Sequence, residues 1–480
     1  MPLVPMVFCE SWFDVSISNS GKEQMVDLLT ICQRARQGQK ISAESFDLDQ
    51  VYAILSSLVE KYELKYDPTT PVPSDDRLAD RVFDAAVDFF CECGVYFQST
   101  QSVVKFSREE ALAALASYNG NCCFGEGKEA RVFRSRKPDS STRPWCHVGS
   151  GIVASTEEIA SKIVYGNASI KAADSMSVNA LDKIDGYAIN TGCPTEILGS
   201  IRSIKVARQA CRHAGRPGLA IINGIATAGS TAATIAAASP AFCLRPSDAI
   251  IVGSFAEFKT NWEMMAKVTY CLSSGFNIVL ASAPMLGGYG GGPEATAILN
   301  AAYVLFGILV YQCNYFLSLP IHIGLSCSTS RDVIWATSVS SQAISRNTNM
   351  PTLTLAYVAG GPMTESFYYE SAAFIAASIA SGVSTQTPHP AKAVLPDYVT
   401  PMEMEVNTDI ALACAGMTRK EANKTVNALL KKYEDGLATV PIGKSYTECF
   451  DLATAKPSDE YLDFVARIKQ DLSKVSIPLK

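Results

Sequence analysis

Several residues in this 480-residue chain have the type and setting for chemistry. His322 lies in the run Pro320 to Gly324, where a strand is predicted. An imidazole there serves as acid or base if it faces a cleft, and equally well as a satisfied core residue. Glu365 follows a Gly-rich segment, Gly360 to Thr364, and opens a helix. Its carboxylate either complements the helix dipole or stands at a site mouth. Gly287, Gly288, Gly290 and Gly291 fall between a strand and a helix, where backbone N–H groups without Cβ atoms can cradle an anion. The cluster is not the dinucleotide fingerprint, and no Lys-Ser/Thr follows it, so a P-loop is excluded. Its other reading is a loop that lets a large partner approach closely. Asn223 closes the apolar strand Gly218 to Ile222 and is the one side chain at that strand end able to hydrogen-bond a ligand. Asp248 and Glu257 bracket the next strand. Tyr289 and Tyr357 offer ring faces to a cation. Lys183 and Lys259 fall outside the predicted strands, which disfavours a Schiff-base lysine at a strand end.

Composition narrows the field. The net charge of -6 and the lack of a basic cluster with interleaved aromatics give no reason to expect nucleic acid. Fifteen scattered cysteines include no Cys-x-x-Cys pair, and four histidines show no metal spacing. The N-terminus lacks the basic start and long apolar core of a signal peptide, so a reducing, cytoplasmic setting is expected. The run Ala295 to Cys313 is long enough for a membrane span. It carries Asn300, Tyr303, Gly307, Tyr311 and Gln312 without basic flanks, so it is expected to be a helix buried between a sheet and a neighbouring subunit, not a span. The basic series Arg202, Lys205, Arg208 and Arg212 reads as one helix face, or as a docking patch for an acidic partner.

Apolar residues make up 48% of the chain and charged ones 18%, ample for a large core. Residues 1–147 form a predicted N-terminal helical layer, with helices at Lys22 to Arg36, Leu48 to Tyr62, Asp76 to Cys91 and Ser107 to Tyr118. The last opens on a capping-box pattern. Gly94 to Phe97 and Ser102 to Phe106 are expected to pair as a hairpin, and Arg131 to Arg136 is an expected surface strand. From residue 148 to 433 the period changes. Strands are expected at His147 to Ala154, Gly186 to Thr191, Gly218 to Ile222, Ala249 to Gly253, Asn277 to Ala281, Ile321 to Ser326, Thr352 to Val358 and Ala393 to Leu395. Helical patterns separate them, Glu294 to Phe316 among these. Eight βα repeats in that length predict an α/β fold, a (β/α)8 TIM barrel, with its chemistry at the C-terminal strand ends. Residues 434–480 are an expected tail with a helix at Tyr461 to Lys474.

Motifs spread along this frame carry a resemblance. The segment Gln209 to Gly218 resembles one in the monomethylamine:corrinoid methyltransferases of methanogens. So do Glu92 to Tyr96, Gly287 to Gly291, Pro320 to Ile323, Ser328 to Arg331, Thr364-Glu365 and Met402-Glu403, in the same order and at nearly the same spacing. The resemblance implies a TIM barrel with a helical N-terminal layer, assembled as a homohexamer. It also implies a methylated amine bound in the barrel mouth. The methyl group then passes to the Co(I) of a corrinoid (cobalamin) carried by a separate small corrinoid protein, with no cofactor or metal held permanently by the barrel.

Where the family carries pyrrolysine, the chain has Ile222, or Asn223 with a one-residue shift. The family's two glutamates and glutamine around that residue fall on Ala249 or Ile251, on Ala281 and on Leu355. An entire polar cluster has become apolar, which costs less than leaving one buried carboxylate unpaired. An amine-adduct mechanism therefore has no electrophile. Two readings follow. One is methyl transfer from another small methylated, amine-like compound, with Ile222, Ala281, Tyr289, Leu355 and Tyr357 around it and Asn223, His322 and Glu365 as catalytic candidates. A permanently cationic donor would need no imine. The other is a binding or regulatory barrel that has lost the chemistry.

Overall fold

The computed structural model describes residues 26–479 apart from Gly224 and Ala226. Eight parallel strands close a barrel: β1 (Cys146–Val148), β2 (Ser175–Met176), β3 (Ala220–Ile221), β4 (Ala249–Gly253), β5 (Asn277–Ser282), β6 (Tyr315–Ser318), β7 (Thr352–Thr354) and β8 (Ser384–Gln386). Their order runs β3-β2-β1-β8-β7-β6-β5-β4, and one parallel bridge, Ile222 to Ala249, joins the two ends. Helices α1 (Glu157–Ser169), α2 (Pro194–His213), α3 (Thr231–Ala237), α4 (Trp262–Ser274), α5 (Pro293–Phe306), α6 (Arg331–Asn347), α7 (Glu365–Ala380) and α8 (Pro401–Ala413) surround it.

Three strands differ from the expected ones. Ser175–Met176 replaces Gly186 to Thr191, which lies near a small antiparallel pair, Lys183–Ile184 with Tyr187–Ala188, in the following loop. Tyr315–Ser318 replaces Ile321 to Ser326; it sits at the end of the long apolar run and reads as helix by composition. Helix α5 in fact stops at Phe306, passes through a wider turn over Gly307–Tyr311, and ends at Gln312 in left-handed backbone (φ 49°). Ser384–Gln386 replaces Ala393 to Leu395 and lacks an apolar signature because its neighbours in the lumen are polar.

The N-terminal helices Leu28–Gln37, Ala53–Lys61, Asp76–Cys93 and Arg108–Ser117 form as read, though the start of the first lies outside the described residues. Ser107 and Glu110 make the capping box. The hairpin Val95–Phe97 with Ser102–Val104 takes a third strand, Lys259–Thr260, from the loop after β4. This ties the layer to a mouth loop. Arg131–Arg134 pairs with Asn121–Phe124. Instead of lying on the surface throughout, this hairpin puts Phe124 and Phe133 against Trp145 and Tyr315. It plugs the barrel floor.

Helix α5 has the length and hydropathy of a membrane span when extended to Tyr311, yet 89% of that window is buried inside the fold. It packs on the helix Asp76–Cys93 and on α6, so the chain's own N-terminal layer covers it and no neighbouring subunit is needed. The described cysteines are free.

Candidate functional site

Residues alternate in and out along a strand, so register defines the lumen. On one side the inward residues are apolar. Ala220, Ile222, Ala249, Val279, Leu317, Leu353 and Leu355 form one buried cluster with the floor aromatics. Ile251, Ala281, Leu319 and Tyr357 pack on it toward the mouth and are partly open. Ile222, Ala281, Leu355 and Tyr357 therefore do share one cluster.

On the other side the lumen is polar. His147 on β1 lies beside Ser175 on β2 and Gln386 on β8 in register. Its Nδ1 is 2.7 Å from Ser175 Oγ and its Nε2 is 2.8 Å from Ser177 Oγ. His389, just beyond β8, has its Nε2 3.1 Å from Gln386 Nε2. The Tyr357 ring lies 5.7 Å from the His389 ring. Burial pushes both histidines down to about 3, so both are neutral near pH 7. His147, Gln386 and His389 were not singled out from sequence. Their signal was weak: isolated polar residues with no motif, on strands too short for a period to show.

Strands β3 and β4 are held together by a buried ion pair. Asp248 accepts from the Ile221 amide at 2.8 Å, from the Arg245 amide at 2.8 Å and from Arg208 Nη2 at 2.7 Å. Arg208 also donates to the Leu219 carbonyl at 2.8 Å. Arg208 thus leaves the basic series that was read as one face, and Arg202 is paired with Glu157 and Asp185. Asp248 is structural. It fixes β3 against β4 and so fixes Asn223, whose backbone is left-handed (φ 66°) and whose amide faces the Ala249 carbonyl at 3.4 Å. Asparagine tolerates that conformation better than most residues.

The remaining candidates sit farther out along the chain. His322 is not on a barrel strand: Ile321–His322 pairs with Met285–Leu286 beyond β5 and β6. Its Nδ1 accepts from the Gly324 and Leu325 amides at 3.0 and 3.2 Å, and its Nε2 lies 3.9 Å from Asp332. Glu365 is exposed in the first turn of α7. The buried carboxylate of that segment is Glu370, which accepts from the Ala359 and Gly360 amides at 2.8 and 2.9 Å and fastens the loop after β7. The glycine loop folds on itself: Gly287, Gly288 and Gly291 donate to Gly291, Met285 and Gly288 respectively. Those three N–H groups are not free to cradle an anion. Positive φ at Gly287 and Gly291 explains the glycines there. Tyr289 at its tip is exposed. Behind the loop, a cleft of about 560 Å³ is bounded by Tyr52, Ser56 and Glu60 of the N-terminal layer.

Glu257, one loop away, is buried. Its Oε1 accepts from the Met285 amide at 2.8 Å and its Oε2 has no partner among the described residues. Burial pushes it up to about 7. Lys259 is bound to Asp47 of the N-terminal layer at 2.7 Å.

This arrangement of plug, barrel and layer has close counterparts. The family model described as "Monomethylamine methyltransferase MtmB" matches residues 26–477. The chain belongs to the monomethylamine methyltransferase MtmB family. Among relatives, MtmB of Methanosarcina mazei is 27% identical over 94% of this chain and 98% of its own length. MtmB2 of Methanosarcina acetivorans is 26% identical over the same shares. The crystal structure of Methanosarcina barkeri MtmB superposes with a TM-score of 0.91 at 24% identity, covering 95% of this chain and all of that one, as does a hydroxylamine complex of MtmB. The MtmB family identifies the chain as a methyltransferase. Within that frame, the lumen of this member holds Ile222, Ile251, Ala281 and Leu355 on one wall and neutral hydrogen-bonding groups on the other.

Proposed function

We propose that this MtmB-family protein moves a methyl group from a small methylated, amine-like compound to the Co(I) of a corrinoid held by a small partner protein. The observation that carries this reading is the retained barrel with an open mouth: partly exposed Ala281 and Tyr357 lie above buried Ile222 and Leu355. The donor is one that needs no covalent adduct with the protein, because that wall offers no electrophile. The chain's own part is to bind the donor, orient its methyl group outward and exclude water from it. Accepting the methyl group is the chemistry that the corrinoid supplies when docked. Exposed apolar side chains on the loops after four different strands, Phe255, Tyr289, Ile323 and Val394, suit the approach of a broad, flat macrocycle and its carrier. The side-chain-free glycine loop beside Tyr289 leaves room for it. The working form is a cytoplasmic homo-oligomer, with a hexamer expected by family resemblance.

The test is spectroscopic. The protein is mixed with reduced corrinoid protein and a panel of methylated compounds, and the cobalt absorption is followed. Conversion of Co(I) to methyl-Co(III) with one donor is expected. No conversion with any donor, together with no binding to the corrinoid protein, would favour a non-catalytic barrel.

A further inference from the structure

We propose that Lys392 anchors the methyl donor: the donor carries its own carboxylate, and that carboxylate pairs with the Lys392 ammonium at the barrel mouth. The proposal deepens the methyl-transfer reading and rests on it for the donor's role, while binding is tested apart from the chemistry.

Charge at the mouth is scarce. The loops after β1, β3, β5, β6, β7 and β8 span residues 149–156, 222–230, 283–292, 319–330, 355–364 and 387–400. They contain two side chains of the Asp, Glu, Lys and Arg types, Lys392 and Asp397. Asp397 accepts from the amide and the hydroxyl of Ser155. Lys392 is half-buried, and its ammonium has no hydrogen bond or ion pair among the described residues. In the other two loops Glu257 is buried, Lys259 is bound to Asp47, and Asp182, Lys183 and Asp185 lie exposed at the small hairpin after β2.

The backbone holds Lys392 at the rim of the lumen. Ala391, Lys392 and Ala393 are successively left-handed, with φ of 49°, 56° and 58°, and none is glycine. L-residues take up this conformation at a cost. Bonds onto the loop after β7 keep them there: Ala391 donates to the Gly360 carbonyl and Lys392 to the Val358 carbonyl, both at 2.8 Å. Val358 directly follows Tyr357, whose side chain packs on the lumen cluster. Burial raises the Cys327 thiol in the loop after β6, and the Lys392 charge opposes that rise. The ammonium thus lies among the loops after β6, β7 and β8. Glu370, buried behind the loop after β7, accepts from Thr329, Ser366, Ala359 and Gly360 and makes no ion pair with Lys392.

The lumen below does not supply the missing counter-charge. None of the eight strands contains an aspartate or glutamate, and His147 and His389 are neutral near pH 7. Bare methylammonium entering here would shed water, meet no anion and be repelled by Lys392. An ammonium that brings its own carboxylate is neutral overall. Its carboxylate pairs with Lys392 at the rim, its cationic nitrogen lies over the Tyr357 ring, and a methyl group points out of the mouth toward the acceptor.

The probes are glycine with one, two or three N-methyl groups and the matching glycinamides, which lack the negative charge. Binding to the full-length protein is measured by ligand-observed NMR titration, beside methylammonium, for wild type, Lys392→Met and Lys392→Glu. At least one N-methylated glycine is expected to bind saturably, and at least tenfold tighter than its glycinamide and than methylammonium, the worth of one hydrogen-bonded charge pair. Lys392→Met should abolish that preference, and Lys392→Glu should reverse it toward methylammonium. No binding of any N-methylated glycine to the wild type, equal binding of acid and amide, or an unchanged preference in either variant would each overturn the assignment. The comparison of acid with amide in the wild type keeps the proposal refutable even if a variant fails to fold. Binding as expected with no cobalt response to any donor would sink the methyl-transfer reading and leave this site standing. Methyl-Co(III) formed from a donor without an anionic group, equally fast in wild type and Lys392→Met, would do the reverse.

Discussion

Replacing Glu257 by glutamine isolates one titration that couples two mouth loops. The Glu257 carboxyl is buried after β4 and accepts from the Met285 amide after β5 with one oxygen, while the other is unpartnered. Its folded value lies near 7 against an ordinary 4.5, because burial penalises the charged form. The sign follows from proton counting. Between those two values the folded state binds more protons than the unfolded state, so the contribution to stability is full below pH 4.5 and is lost as pH rises to about 7. The gap sets a ceiling of roughly 3 kcal/mol, and relaxation with water entry should reduce the loss to about 1–2 kcal/mol. Glutamine keeps an acceptor for Met285 and removes the charge. Urea unfolding at pH 5 and pH 8 should therefore show the wild type losing about 1–2 kcal/mol more than Glu257→Gln across that interval. An identical pH dependence in the two proteins would refute the reasoning, because the titration would then lie elsewhere.

Three further outcomes are expected. Arg208→Ala removes the closest guanidinium from buried Asp248 and should cost about 3–5 kcal/mol in urea unfolding; a cost below about 1 kcal/mol would show that the backbone amides and Arg245, 3.7 Å away, hold that carboxylate without it. Asn223→Gly keeps the left-handed backbone and removes the side chain; stability within about 0.5 kcal/mol of wild type is expected, and unchanged methyl transfer in that variant would move the site toward β7 and β8. Glu403, pushed by burial up to about 8, repeats the logic of Glu257 at the start of α8. Its stabilising contribution is complete below pH 4.5 and is lost as pH rises through 8, so Glu403→Gln should exceed the wild type in stability at pH 9 and match it at pH 4, as circular dichroism melts would show.

The barrel was legible in the sequence wherever a strand was apolar on both faces. Ala249–Gly253 was read to the residue, and Asn277–Ser282 to within one. It was illegible where the lumen itself is polar: Ser175–Met176 and Ser384–Gln386 are short and lined by serine, histidine and glutamine, so neither hydropathy nor alternation marks them. The same physics hid half the candidate site. Ile222, Ala281 and Leu355 were found because the resemblance placed a lost cluster on them, Tyr357 because its ring could face a cation, and the four do pack together. His147, Gln386 and His389 meet only through register between β8 and β1, at opposite ends of the barrel sequence. His322 misled because Ile321–His322 is a true extended pair, but one that sits above the barrel and not in it.

The covering of α5 by the N-terminal helix Asp76–Cys93 has a consequence for how the protein is made. That helix leaves the ribosome roughly 200 residues before its partner begins at Pro293. At ordinary translation speeds this is about 10–40 seconds. Through that interval Val82, Phe83, Val87, Phe89 and Phe90, all buried in the finished fold, have no α5 to lie against. Slow synthesis of the stretch between Cys93 and Pro293 would lengthen that exposure instead of helping the chain fold.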